Sequence, residues 1–112
     1  MSSLGGQALP TINASGLYSG SAAANRAVPH GLGRVPKFVF ITTLVGVAGG
    51  SQGVLINGIV SCISRDNAAA ALNGLTTQIV TAADATNFYV GNAADYQESF
   101  NTNGINWYWY AA

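Results

Sequence analysis

"NTNGINWYWYAA", residues 101–112, decides how the rest of the chain reads. Four aromatics follow one another: Trp107, Tyr108, Trp109 and Tyr110. The Asn103-Gly104 pair ahead of them supplies a turn, because both residue types tolerate positive φ. Aromatic residues favour strands, so residues 105–111 are expected to form one. Side chains alternate along a strand. Trp107, Trp109 and Ala111 therefore share one face, and Tyr108 and Tyr110 share the other. An antiparallel strand usually keeps one face polar for water. This one carries large apolar area on both. Either it is a central strand under a long loop, or its outer face meets another subunit. Tyr and Trp are enriched at such contacts.

"FVFITTLV", residues 38–45, repeats the pattern. Phe38 and Phe40 point one way, Val39 and Ile41 the other. Residues 16–23 offer one more strand. "GVLINGIVSCIS", residues 53–64, reads as two strands or as one strand kinked at Asn57-Gly58, and Asn-Gly between apolar runs is the strongest short hairpin signal. Residues 77–81 and 87–91 are short strands. Only "DNAAAALNG", residues 66–74, looks helical. Asp66 or Asn67 could cap its start and Gly74 its end, but so short a segment competes with a loop. About seven short strands with turns between them predict an all-β fold. We expect a compact antiparallel β-sandwich over residues 16–112, an extended N-terminal arm over residues 1–15, and at most one short helix.

The 112 residues suit one domain. Hydrophobic residues make up 49% and charged residues only 7%, where ordinary globular proteins carry about 25% charged. Four basic residues balance four acidic ones, and net charge near zero promotes association. Much of the surface is therefore expected to be covered, by further copies or by another protein. Nucleic acid calls for clustered Lys and Arg; Arg26, Arg34 and Lys37 make only a sparse patch, so no nucleic-acid partner is expected. No apolar run reaches the roughly 18 residues of a membrane helix. The start lacks the basic and apolar regions of a signal peptide. No membrane partner is expected, and the Asn13-Ala14-Ser15 sequon has no meaning without secretion. The single cysteine, Cys62, excludes an internal disulfide and reads as a small packed hydrophobe.

Several motifs suggest chemistry and then fail on context. "GGSQG", residues 49–53, matches G-x-S-x-G with Ser51 as nucleophile, but a strand follows where a nucleophile elbow needs a helix. His30 also precedes Ser51, the reverse of the order in that fold. Gly31 and Gly33 begin a dinucleotide-type pattern, yet Pro36 stands at the third glycine and a strand follows. One His, one Cys and four scattered acids form no metal-ligand cluster. Asp95 and Glu98 lie close in sequence but read as a solvated loop. We expect no enzyme, no cofactor and no metal. "VPHGLGRVPK", residues 28–37, reads instead as a shaped structural loop. Pro29 and Pro36 fix φ and push Val28 and Val35 toward extended conformations. Gly31 and Gly33 can take positive φ, and a ring nitrogen of His30 can hold the loop by bonding a nearby carbonyl.

Three stretches resemble one family. "AVPHGLGRVPKFVFI", residues 27–41, resembles the H-G-L-G-x-x-P-K element of many bacteriophage virion proteins. "FNTNGINWYWYAA", residues 100–112, resembles the N-x-x-G-x-x-Y-x-W-x-A ending of the same small β-domains. "ATNFYVGN", residues 85–92, is similar to their penultimate strand. The resemblance implies an antiparallel sandwich, often trimeric, of the kind found in tail fibres, head fibres and capsid decoration proteins; some look like H-type lectins. It implies no enzyme. Starting at Met1 without a long shaft, the chain looks like a stand-alone virion subunit, made in the host cytoplasm. The reading that follows is a capsid decoration or cement protein. It would bind the major capsid protein or another virion protein as a homo-oligomer, most often a trimer, with its arm pinned to the lattice. Candidate interface residues are Phe38, Phe40, Trp107, Tyr108, Trp109 and Tyr110. His30, Gly31, Gly33 and Pro36 form the structural loop. The alternative is a host-recognition module for cell-surface glycans, where Asn92, Asp95 and Tyr96 could supply a sugar site.

Overall fold

The computed structural model describes residues 12–44, 48–65 and 79–112. Their regular structure is all strand: β1 (Ala14–Ser19), β2 (Arg26–Pro29), β3 (Val39–Thr42), β4 (Ser51–Ile56), β5 (Ile59–Arg65), β6 (Asn87–Val90) and β7 (Asn106–Ala111). Five of them form a sheet in the order β1-β7-β3-β4-β5, and β2 pairs with β6 in a second layer. Every pairing is antiparallel. The chain is thus all-β and sandwich-like, with layers of unequal size.

The aromatic strand sits where its composition demands. β7 lies between β1 and β3, and its burial alternates strictly from Asn106 to Ala111. Trp107, Trp109 and Ala111 point into the core. Tyr18 pairs with Trp107 and Ile41 with Trp109. The second layer answers with Val28, Phe88 and Val90, and Phe88 meets the Trp109 indole edge-on at 5.3 Å. Leu32, Val39, Val60, Ile79 and Phe100 complete the core. Each buried side chain of this size stabilises by about 1.5–3 kcal/mol.

Local chemistry sets the turns. Asn57 and Gly58 have φ of 52° and 80°, the positive pair that a type I′ hairpin turn needs. They split residues 53–64 into β4 and β5 rather than kinking one strand. β4 begins earlier, at Ser51, and a register shift between Gln52 and Gly53 carries a bulge. The β3 strand is shorter than residues 38–45: it ends at Thr42, and Val45 lies outside the described residues. β6 and β7 fall within one residue of expectation.

Three expectations change. β1 begins at Ala14 and stops before Gly20, whose N–H and C=O bond Ile105 and Gly104. Residues 14 and 15 therefore belong to the sheet, not to an arm, and residues 1–11 lie outside the described residues. Residues 26–29 form a strand that takes in the first two residues of the stretch 28–37 read as loop; Pro29 ends it, where a missing N–H is tolerated. Residues 79–81 are not a strand, although Ile79 is buried in the core. The candidate helix at residues 66–74 lies outside the described residues.

Candidate functional site: the outer face of the five-stranded sheet

Strand alternation that fills the core also builds the opposite surface. Register places Ser15, Tyr110, Phe40 and Val54 in one row across the sheet. Leu17, Tyr108, Thr42 and Gln52 make the next. None of these residues is charged. Tyr108 is 39% exposed, Tyr110 43% and Leu17 57%. Phe38, just ahead of β3, is 43% exposed and meets Tyr110 edge-to-face at 6.3 Å. Phe40 is half-buried in the same row. At one end of this surface, Leu44, Gly104, Ile105, Asn106 and Tyr108 line a cleft of about 220 Å³. The surface can bury aromatic and aliphatic area against a partner, with hydroxyl and amide groups at hand for hydrogen bonds.

The six candidate interface residues therefore divide. Phe38, Phe40, Tyr108 and Tyr110 share the outer surface. Trp107 and Trp109 do not: Trp107 is fully buried, and Trp109 lies over Gly16 against Phe88. The two-sided strand is aromatic inside because it is central to the sheet, and aromatic outside for a separate reason.

His30 is buried with both ring nitrogens engaged. Nδ1 accepts the Leu32 N–H at 3.1 Å, which leaves Nε2 to donate to the Asp84 carbonyl at 2.8 Å. That fixes a neutral tautomer and ties the loop to the turn before β6. Gly31 and Gly33, at φ of 71° and 75°, turn the chain on either side of buried Leu32. Pro36 is buried at the loop's far end. Asp84 anchors the other side. Its carboxylate accepts the N–H groups of Thr86 and Asn87 and the Tyr89 hydroxyl. Those three bonds hold its pKa below the ordinary carboxylate value, the Asn87 N–H contributing most. The same contact pushes the Tyr89 hydroxyl up.

Ser51 is buried and donates its hydroxyl to the Gln97 carbonyl. No His ring is spare to activate it. In the loop at residues 92–99, Asn92 Oδ1 accepts from Ala94 N–H, and Asp95 Oδ1 accepts from Gln97 and Glu98 N–H. These oxygens shape the loop that the glycan alternative would use. Tyr96 is half-buried beside them, and Glu98 is buried rather than solvated. Cys62 packs half-buried against the core, and burial raises its thiol pKa. No group of three or more metal-ligating side chains occurs among the described residues.

One cluster escaped sequence reasoning. Arg26 reaches across the layers: Nη1 donates to the Ser19 carbonyl at 2.6 Å and to Asn101 Oδ1 at 3.1 Å, over the Tyr18 ring. Asn101 in turn donates to the Ala23 carbonyl. Arg26 is thus a tie inside the fold, not part of a basic patch. Nothing local signals it, since its partners lie 7 and 75 residues away.

The chain matches no known family model, no characterised protein and no solved structure.

Proposed function

We propose that this chain is a bacteriophage virion structural protein. As a capsid decoration or cement protein it binds the capsid surface as a homo-oligomer, through the outer face of its five-stranded sheet. One observation carries the reading: an uncharged surface with Leu17, Phe38, Tyr108 and Tyr110 exposed, on a chain with 7% charged residues. Such an area left in water costs about 25 cal/mol per Å² of apolar surface, and surfaces of this kind mark interaction sites. The phage resemblance at residues 27–41 and 100–112 supplies the partner class, a major capsid protein or another virion subunit. The protein acts by binding, not by turnover: the His30 ring and the Ser51 hydroxyl are both engaged with backbone groups.

The test adds purified chain to undecorated capsids and, in parallel, to host cells. Stoichiometric capsid binding, weakened by Tyr110→Lys and by deletion of residues 1–12, is the expected result. Saturable binding to cells that a simple sugar competes, indifferent to both changes, replaces decoration with glycan recognition.

A further inference from the structure

Among the described residues, β1 has β7 on one side and no strand on the other. In an antiparallel ladder, a residue's N–H and C=O point to the same edge, and alternate residues point to opposite edges. Gly20 bonds Ile105 and Gly104, on the β7 side. By alternation Tyr18, Gly16 and Ala14 bond toward β7, and Ser15, Leu17 and Ser19 turn their backbone groups to the open edge. The Ser19 carbonyl there takes Arg26. Natural sheets block open edges with charge, proline or a bulge. β1 itself reads ASGLYS, and its register with β7 runs without a shift; the Arg26 guanidinium meets this edge at its Ser19 end, away from Leu17 and Ser15.

We infer that β1 pairs antiparallel with β1 of a second copy about a twofold axis at Leu17. The inference rests on the reading above that the chain self-associates, and it names the surface. Residues paired across antiparallel strands share a face, so outer-facing Leu17 must oppose an outer-facing residue. A centre at Leu17 satisfies this and also uses the backbone groups that face the edge, the Ser19 carbonyl accepting the second copy's Ser15 N–H on its other lone pair beside its bond to Arg26. Leu17 opposes Leu17 of the second copy, and each pair of bonds at that centre is exchanged in full. Ser15 opposes Ser19, hydroxyl beside hydroxyl, and Tyr18 opposes Gly16 on the inner face. No charge meets a like charge, because the strand has none. The two five-stranded sheets become one, and their uncharged outer faces join into a single surface with Leu17 at the seam. A twofold axis associates copies in pairs, in place of the trimer that the phage resemblance implies.

Sedimentation equilibrium at micromolar concentration tests it. The parent chain is expected at twice its chain mass, and Leu17→Lys, which sets two ammonium groups face to face at the axis, at half the parent's value. Leu17 is 57% exposed, so tryptophan emission of the variant should match the parent. The register has its own test in a Cys62→Ser background. Residues exchanging both bonds stand about 5.5 Å apart at Cα, inside the range of about 4.4–6.8 Å that a disulfide spans. Leu17→Cys should oxidise to a covalent dimer. Ser15→Cys alone should not, but should cross-link when mixed with Ser19→Cys. A monomeric parent, an assembly of three that ignores Leu17→Lys, or cross-linking as ready at Ser15 as at Leu17 overturns the pairing. Capsid binding by such a parent would leave the decoration proposal standing while the pairing falls.

Discussion

The ring of Phe100 lies on Gly53 so closely that a Cβ at position 53 would overlap Phe100 Cζ. The contact joins the β4 bulge to the loop before β7. Phe100 holds this place at a φ of 64°, with its carbonyl accepting the buried Tyr18 hydroxyl at 2.7 Å. A bulky residue at positive φ stores strain, which the surrounding contacts must outweigh. Gly53→Ala should therefore destabilise the fold by about 1–3 kcal/mol, as overpacking does. Urea titration reads it; an unshifted midpoint means the ring is not seated on Gly53.

Neighbouring residues of β7 should behave oppositely. Trp107→Ala empties a core site and should cost about 3–5 kcal/mol. Tyr110→Ala loses surface area and one edge-to-face contact with Phe38, at most about 1.5 kcal/mol. In capsid binding the order reverses: Tyr110→Ala weakens it, while any residual folded Trp107→Ala binds normally. Equal stability losses at both positions would contradict the division of β7 into an inner and an outer row.

Asp84 gives a signed pH dependence. Its folded pKa is depressed, first by the Asn87 N–H. The stabilisation is therefore fully present above the ordinary carboxylate pKa and is lost as pH falls through the lower folded value. Parent and Asp84→Asn should differ in melting temperature by a constant amount above about pH 4, and the gap should close on further acidification. A gap that ignores pH assigns the effect to shape alone. At the alkaline end Tyr18 acts with the other sign. Burial raises its pKa well above the ordinary phenol value, so its contribution holds below that value and is lost as pH rises through the folded one.

His30→Ala and Ser51→Ala should show no loss of ester or glycoside turnover, because the parent should have none. Stability is the informative readout. Removing His30 leaves the buried Leu32 N–H without its partner, at about 1–3 kcal/mol for a buried group left unmet, while the Asp84 carbonyl, on an exposed residue, can turn to water. Turnover in the parent that either substitution abolishes would reinstate a catalytic reading.

The sequence shows fold class well because β-structure here is written in local rules. Alternation in residues 106–111 and the Asn57-Gly58 pair are each visible within a few residues, and both stand where expected. β2 was hidden because Pro29 and the glycines after it dominate a stretch whose pairing partner, β6, lies some 60 residues on. For the candidate surface, periodicity separated the two faces of β7 but not which one is inside. That depends on what packs above: Phe88 from the second layer covers Trp109, and nothing in the chain's pattern near residue 109 names residue 88.

The pairing of β1 with β7 has a kinetic consequence. It joins Ala14 to Ala111 and Ser19 to Asn106, nearly the longest separations the chain allows. Among the described residues, β7 is also the only bridge between β1 and the rest of its sheet. On a ribosome adding about 5–20 residues per second, β1 waits several seconds for its neighbour, while the β4–β5 hairpin can close in microseconds. Until β7 emerges, nothing joins β1 to β3, and the core side chains that Trp107 and Trp109 pack against stay uncovered. Folding should accordingly be slow and late, with a rate set by loop closure over most of the chain. Truncation within residues 106–111 should leave a polypeptide that a protease degrades, rather than a smaller folded domain.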